Sequence, residues 1–204
     1  MTNKKNNQEE LFEKLLLHSA WINEASEGEQ LLMLDANISD ISCDRGNFEN
    51  SVLVRCVIEN ATFIECNFLR VKFFDTVFRN CSFLNCYMRR AELNGADFSD
   101  VDFTGSHLAK AEFFEAKGQR ANFTNCDLGY TYMGDADLRY AIFENASFIR
   151  THFGGGKLYN TRKFHIRSFD KATLIEGVDI SAKGDGTILI HSLEELVNYL
   201  AITD

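Results

Sequence analysis

From residue 36 to residue 160 the chain repeats one arrangement of apolar and polar positions every five residues. The stretch beginning at Ala61 reads ATFIE CNFLR VKFFD TVFRN CSFLN. The middle residue of each unit is large and apolar, and the residue two places before it is small. The frame holds 25 units (125 residues divided by 5), and at the central position only Cys43 and Gly118 are not Leu, Ile, Met or Phe. At the small position only Ile41 departs from Ala, Cys, Ser, Thr, Val or Gly. The three remaining positions hold mostly Asp, Glu, Asn, Arg, Lys, Ser and Thr.

A period of five suits neither a helix, with its period of 3.6, nor a flat strand, with its period of 2. It suits a chain that turns a corner every five residues. Four corners close a square, so about twenty residues make one coil, and coils stack through backbone hydrogen bonds at about 4.8 Å. The central and small residues then point inward and fill the tube. Phe63, Phe83, Phe103, Phe123 and Phe143 lie twenty apart and are expected to form one column of rings. Gly118 is expected to leave a hole and a bulged face. The chain has no proline, as expected where nearly every backbone N–H is used in stacking.

Three units, Ala96-Asp97-Phe98-Ser99-Asp100, Ala121-Asn122-Phe123-Thr124-Asn125 and Ala136-Asp137-Leu138-Arg139-Tyr140, follow the consensus A-(D/N)-(L/F)-x-x. The pattern resembles the pentapeptide-repeat family over 125 of the 204 residues. The resemblance implies an all-β solenoid, a right-handed quadrilateral β-helix, but no single function. It also implies a short amphipathic helix with a Trp before the first coil.

The flanks divide off as residues 1–35 and 161–204. In the first, Asn7-Gln8-Glu9-Glu10 can act as a capping box, with Asn7 as N-cap, for a helix running to about Glu24. Its apolar face is Leu11, Leu15, His18 and Ile22, widened by Phe12, Leu16 and Trp21. This helix is expected to cover the open end of the tube, with Trp21 as its largest buried group. After Asn160 the frame decays into an irregular last coil, a turn at Gly184-Asp185-Gly186 and a short strand at Thr187-Ile188-Leu189-Ile190. A second capping box, Ser192-Leu193-Glu194-Glu195, opens a helix with Leu193, Leu196, Val197 and Leu200 on one face. So short a helix does not stand alone in water. It either seals its own tube or joins two copies into a homodimer; the dimer is the expectation.

Composition narrows the chemistry. Of six cysteines, Cys56, Cys66, Cys81, Cys86 and Cys126 occupy the small inward position and Cys43 the central one, so they read as small core residues. Cys66 and Cys86 stack in adjacent coils, where a disulfide is geometrically allowed; reduced thiols are the preferred reading. No CxxC and no His at ligand spacing argue against zinc. Gly154-Gly155-Gly156 lacks the Lys-Ser/Thr and strand–loop–helix setting of a phosphate cradle. The N-terminus has no apolar signal region, and no run is long enough to span a membrane, so the expected location is cytoplasmic with no membrane partner. No cofactor is expected.

The surface offers three candidate contact regions. One column carries Asn50, Arg70, Arg90, Lys110, Tyr130 and Arg150, with Arg89 beside it: a basic face. The next face carries Asp75, Glu92, Glu112, Glu115 and Asp135: an acidic one. Val54, Phe74 and Phe114 are apolar residues expected to be exposed on the acidic-bearing face, and Ile64 and Leu84 form a second pair.

A side-chain-filled tube has no catalytic pocket, and the five His have no partner pattern, so an enzyme is not expected. The net charge of −9 opposes nucleic-acid binding. Some members of the resembled family bind type II topoisomerases, DNA gyrase or topoisomerase IV, as DNA mimics and protect them from toxins or quinolone-type drugs. Here the repeats hold 16 acidic and 13 basic residues, a net of −3. The segment to Asp35 adds −4 (3 minus 7) and that from Thr161 adds −2 (5 minus 7). A duplex surrogate needs its charge along the tube, at about one negative charge per 1.7 Å. The expected function is therefore a non-enzymatic protein-interaction scaffold, with topoisomerase protection as the alternative.

Overall fold

A computed structural model describes residues 7–161, 177–180, 188–192, 194–195 and 198. The elements in chain order are helix α1 (Asn7–Ile22), then three-residue strands β1 (Leu32–Leu34), β2 (Asn37–Ser39), β3 (Ser42–Asp44), β4 (Val52–Val54), β5 (Val57–Glu59), β6 (Thr62–Ile64), β7 (Val77–Arg79) and β8 (Ser82–Leu84). Two two-residue strands, β9 (Val178–Asp179) and β10 (Leu189–Ile190), follow and pair antiparallel.

Every parallel pairing in the repeats joins residue i to residue i+20. Strand β1 pairs with β4, β2 with β5 and β5 with β7, and β3 with β6 and β6 with β8. Isolated bridges carry the same register on to Asp137↔Lys157. One coil is thus four pentads, and like pentads stack in four rows. The central residues are buried, most of them completely. The Phe column stacks as the twenty-residue spacing requires: centroids are 5.0 Å apart for Phe63–Phe83, 5.5 Å for Phe83–Phe103 and 5.2 Å for both Phe103–Phe123 and Phe123–Phe143.

The corner falls two residues after each centre and is built in the left-handed region. From Asp35 to Asn160 these residues have φ between 51° and 74°. That conformation is strained for most side chains and easiest for Gly, Asn and Asp. Gly95, Gly105 and Gly155 meet both demands at once. A Cβ on any of them would strike the side-chain oxygen of Asp75, Asn85 or Asp135 in the coil before.

Two kinds of pentad share the frame, a distinction the five-residue pattern alone does not show. Where the residue before the centre is Asn47, Asn67, Asp97, Asp102, Asn122, Asp127 or Asp137, its side-chain oxygen accepts the N–H two residues on, at 2.9–3.3 Å. Such Asx turns tighten the pentad into a hydrogen-bonded corner, and the next small residue donates to the central carbonyl, as Val101 does to Phe98 at 3.1 Å. Where that residue is Val52, Val57, Thr62 or Val77, its β-branched side chain favours the extended backbone, and the pentad is a strand triplet.

Strand triplets leave the next N–H without its turn partner. The small residue one coil further on supplies it: Cys86 N–H donates to Ser106 Oγ at 2.9 Å, and Cys56 N–H to Thr76 Oγ1 at 3.4 Å. The same side chains donate back to the central carbonyl of the previous coil. Ser106 Oγ reaches Phe83 O at 2.7 Å, Thr76 Oγ1 reaches Leu53 O at 2.8 Å and Cys126 Sγ reaches Phe103 O at 3.0 Å. The inward Ser, Thr and Cys are therefore small donors inside an apolar tube, and not only small hydrophobes. All six cysteines are buried and free.

Three expectations need correction. Gly118 leaves neither hole nor bulge. The Phe98 ring above it occupies the place where its Cβ would stand, with Leu138 below, and the bridges from Lys117 to Asp97 and to Asp137 are continuous. Trp21 is not the buried anchor of α1, for it is 37% exposed. The helix instead buries Leu11 and His18. His18 Nδ1 accepts the Leu31 N–H at 3.0 Å, which leaves Nε2 to donate to Glu49 O at 2.9 Å. Finally, Phe74 and Phe114 are half-buried, as are Val54 and Leu84; of the five apolar surface residues only Ile64 is exposed.

Candidate functional site

The basic column stands on the corner after one row of pentads, and the column before the next row's centres stands two residues later. Between them runs a groove of about 760 Å³ lined by Gln30, Asn50, Val52, Arg70, Lys72, Arg90, Glu92, Lys110 and Glu112. It therefore brings together Arg70, Arg90 and Lys110 from the basic set with Glu92 and Glu112 from the acidic set. Lys72 joins them, a residue that the reading of single columns passed over; taking the column before the centre (Val52, Lys72, Glu92, Glu112, Tyr132) beside the corner column would have found it.

The acidic candidates share one row of pentads but lie at its two edges. Glu92 and Glu112 precede their centres and sit in the groove. Asp75, Glu115 and Asp135 follow theirs and sit at the next corner, where Asp75 and Asp135 lie against Gly95 and Gly155. Arg89 lies outside this groove. It lines a second, more aromatic depression with Tyr87, His107, Tyr130, Ile149 and, from the basic set, Lys110. Tyr130 lies between two cations, 5.6 Å from Lys110 Nζ and 5.6 Å from the Arg150 guanidinium, so the column closes as a cation–aromatic stack. Nearby, Tyr132 stacks on His152 at 4.6 Å and leans on Phe114 at 5.9 Å.

Charge pairing differs between columns. In two other columns a corner arginine sits over a corner aspartate of the previous coil. Arg55 holds Asp35 through two bonds of 2.7 and 2.8 Å, and Arg120 holds Asp100 through two of 2.6 Å. These arginines hold both carboxyls below their usual pKa, through the hydrogen bonds first. In the groove column Asn50, Arg70, Arg90 and Lys110 follow one another instead. Among the described residues no ion pair joins Arg70, Lys72, Arg90 or Lys110 to a carboxylate within 4.0 Å. Like charges about 5 Å apart repel by about 0.8 kcal/mol per pair even in water, so stacking them is unfavourable until an anion arrives.

The repeat model of the pentapeptide-repeat family matches residues 72–109 and 119–155, with eight copies. These two stretches are pentapeptide repeats. The nine residues between the two matches end at Gly118, whose pentad keeps the twenty-residue register all the same. Among solved structures this pentapeptide-repeat chain is similar to a pentapeptide repeat protein of the Arabidopsis thaliana thylakoid lumen, at 22% identity over 46% of this chain and 67% of that one, with a TM-score of 0.43. It is also similar to HetL from the cyanobacterium Nostoc sp. strain PCC 7120, a pentapeptide repeat protein involved in heterocyst differentiation regulation (14% identity, 70% and 78% covered, TM-score 0.29). A third is QnrB1, a plasmid-mediated fluoroquinolone resistance protein (20% identity, 62% and 78% covered, TM-score 0.29). No curated protein matches the chain. No helix among the described residues is long and apolar enough to cross a membrane, and none of their His, Cys, Asp and Glu cluster to hold a metal.

The candidate dimer residues Leu193, Leu196, Val197 and Leu200 lie outside the described residues. So does the Gly184–Gly186 turn. Among the described residues of this segment, Glu195 N–H donates to Ser192 Oγ at 3.1 Å and Glu195 Oε2 accepts the His191 N–H at 2.7 Å.

Proposed function

We propose that this pentapeptide-repeat protein is a non-enzymatic scaffold, a right-handed four-sided rod closed by its terminal segments, and that a protein partner docks in the groove between the Arg70 and Lys72 columns. One observation carries the reading. Arg55 and Arg120 each pair with an aspartate one coil away, whereas four cations gathered along one solvent-facing groove have no ion pair among the described residues. Its interior is filled by stacked side chains, which supports binding on the outside and speaks against catalysis within. Six buried, unlinked thiols suit a reducing compartment and support a cytoplasmic location.

The alternative is a duplex surrogate that protects DNA gyrase or topoisomerase IV. Its support is the net charge of −9. Against it, the column Arg70, Arg90, Lys110 runs positive charge along the rod where a surrogate needs negative. The deciding experiment is capture of partners from the native cell by the wild type and by an Arg70→Glu/Arg90→Glu double variant. The scaffold reading expects a protein retained by the wild type and lost by the variant. Topoisomerase subunits retained equally by both favour the alternative.

A further inference from the structure

We infer that the partner enters this groove as an acidic α-helix, laid along the rod with one stripe of carboxylates over Arg70, Lys72, Arg90 and Lys110; the inference rests on the protein-binding reading above. Spacing selects the shape. Successive corner cations sit one coil apart, about 4.8 Å. Glutamates at i, i+4, i+7, i+11 and i+14 of a helix advance about 5.3 Å per step on average, and their side chains share one face. From Arg70 to Arg150 the column takes four steps, about 19 Å against about 21 Å for the helix stripe, a difference that long Lys and Arg side chains absorb. An extended peptide repeats a face every two residues, about 6.6 Å, and over four steps overshoots by about 7 Å.

Charge selects a polypeptide over a nucleic acid. Glu92 and Glu112 lie among the cations, and Glu112 accepts the Asn94 amide at 3.0 Å while facing the groove. A phosphate backbone offers these carboxylates only more negative charge. A helix carries donors such as Lys or Arg beside its carboxylate stripe and satisfies both signs. Tyr130, held between Lys110 and Arg150, offers an amphipathic ring where the stripe ends.

The test uses the full chain and a fluorescent, stapled helical peptide with glutamates in a single i, i+4, i+7, i+11, i+14 stripe. Two comparison probes are an isomer with the same glutamates scattered around the helix and a single-stranded oligonucleotide of equal net charge. Anisotropy titrations are expected to show the striped peptide binding about tenfold or more tighter than either, and weakening with salt. Arg70→Glu/Arg90→Glu is expected to abolish that preference, while a lysine-striped peptide gains affinity for the double variant. Lys117→Glu, outside the groove, changes nothing; thermal unfolding confirms that each variant is folded. Equal binding of the scattered isomer or the oligonucleotide overturns the inference, as does indifference to the double substitution. If the striped peptide fails while the double variant still loses its cellular partner, the helix inference falls and the scaffold reading stands. If the partner is retained by the double variant, the scaffold reading itself falls.

Discussion

At the scale of single residues, interior positions carry the stability and each is tuned to its neighbours one coil away. Phe103 stacks between Phe83 and Phe123 with no exposed surface. Replacing it by Ala is expected to cost about 3–5 kcal/mol, read as a lower denaturant midpoint, while Lys117→Ala on the surface costs under about 0.5 kcal/mol. Thr104 is a poor surface reference, because its hydroxyl donates to Asp102 at 2.5 Å and accepts from Asn122 at 3.0 Å. Gly118→Leu restores the repeat consensus and is nonetheless expected to destabilise by about 1–3 kcal/mol or more, since Phe98 and Leu138 already fill the space. A gain in stability would contradict that packing. The thiols are expected to resist a thiol reagent until the protein unfolds. Burial pushes the Cys126 thiol up to about 12, and hydrogen bonding with Cys66 together with burial raises that of Cys43. Rapid labelling of the native protein at neutral pH would contradict the inward placement.

At the scale of elements, α1 is tied to the first coils by a histidine. His18 is held in one neutral tautomer, its Nδ1 taking the Leu31 N–H and its Nε2 giving to Glu49 O, while its ring stacks on Trp21 at 5.5 Å. Burial lowers its pKa below the ordinary 6.5, and the nearby Glu49 only partly opposes this. Because the native state resists protonation, the unfolded state binds more protons below about pH 6.5, and stability falls as the pH falls through that value. Urea midpoints are expected to drop from pH 8 to pH 5.5 in the wild type. In His18→Gln, less stable at pH 8, this part of the drop disappears; an unchanged pH dependence would remove His18 as its source. The two pentad types belong to this scale too: seven Asx residues before the centre cap tight turns, while Val52, Val57, Thr62 and Val77 in the same place lie in strand triplets.

At the scale of the molecule, a parallel twenty-residue register turns sequence columns into surface columns, so a residue's partners lie twenty positions away. That arrangement produces the groove. It also leaves open how the rod's C-terminal end is used. We propose that Leu193, Leu196, Val197 and Leu200 join two copies end to end about a two-fold axis. Sedimentation of the wild type at tens of micromolar is expected to show a dimer that Leu196→Glu dissociates. A wild-type monomer rules the dimer out, and a dimer indifferent to Leu196→Glu places the contact elsewhere.

The five-residue period was enough to read the fold class, the inward positions, the Phe column and the buried thiols, because in a stacked coil local pattern and tertiary register are the same thing. Column membership likewise made the Arg70–Arg90–Lys110 ladder legible. What the tertiary structure alone decided were matters of mutual fit. Phe98 reaching over Gly118, His18 and not Trp21 turned inward, and Phe74 and Phe114 half-covered all depend on how neighbouring side chains share space. The split of the acidic set has the same origin. A column's position along the pentad places it at one edge of its row or the other, so Glu92 and Glu112 meet the cations across a corner while Asp75, Glu115 and Asp135 stand at the far edge of the same row.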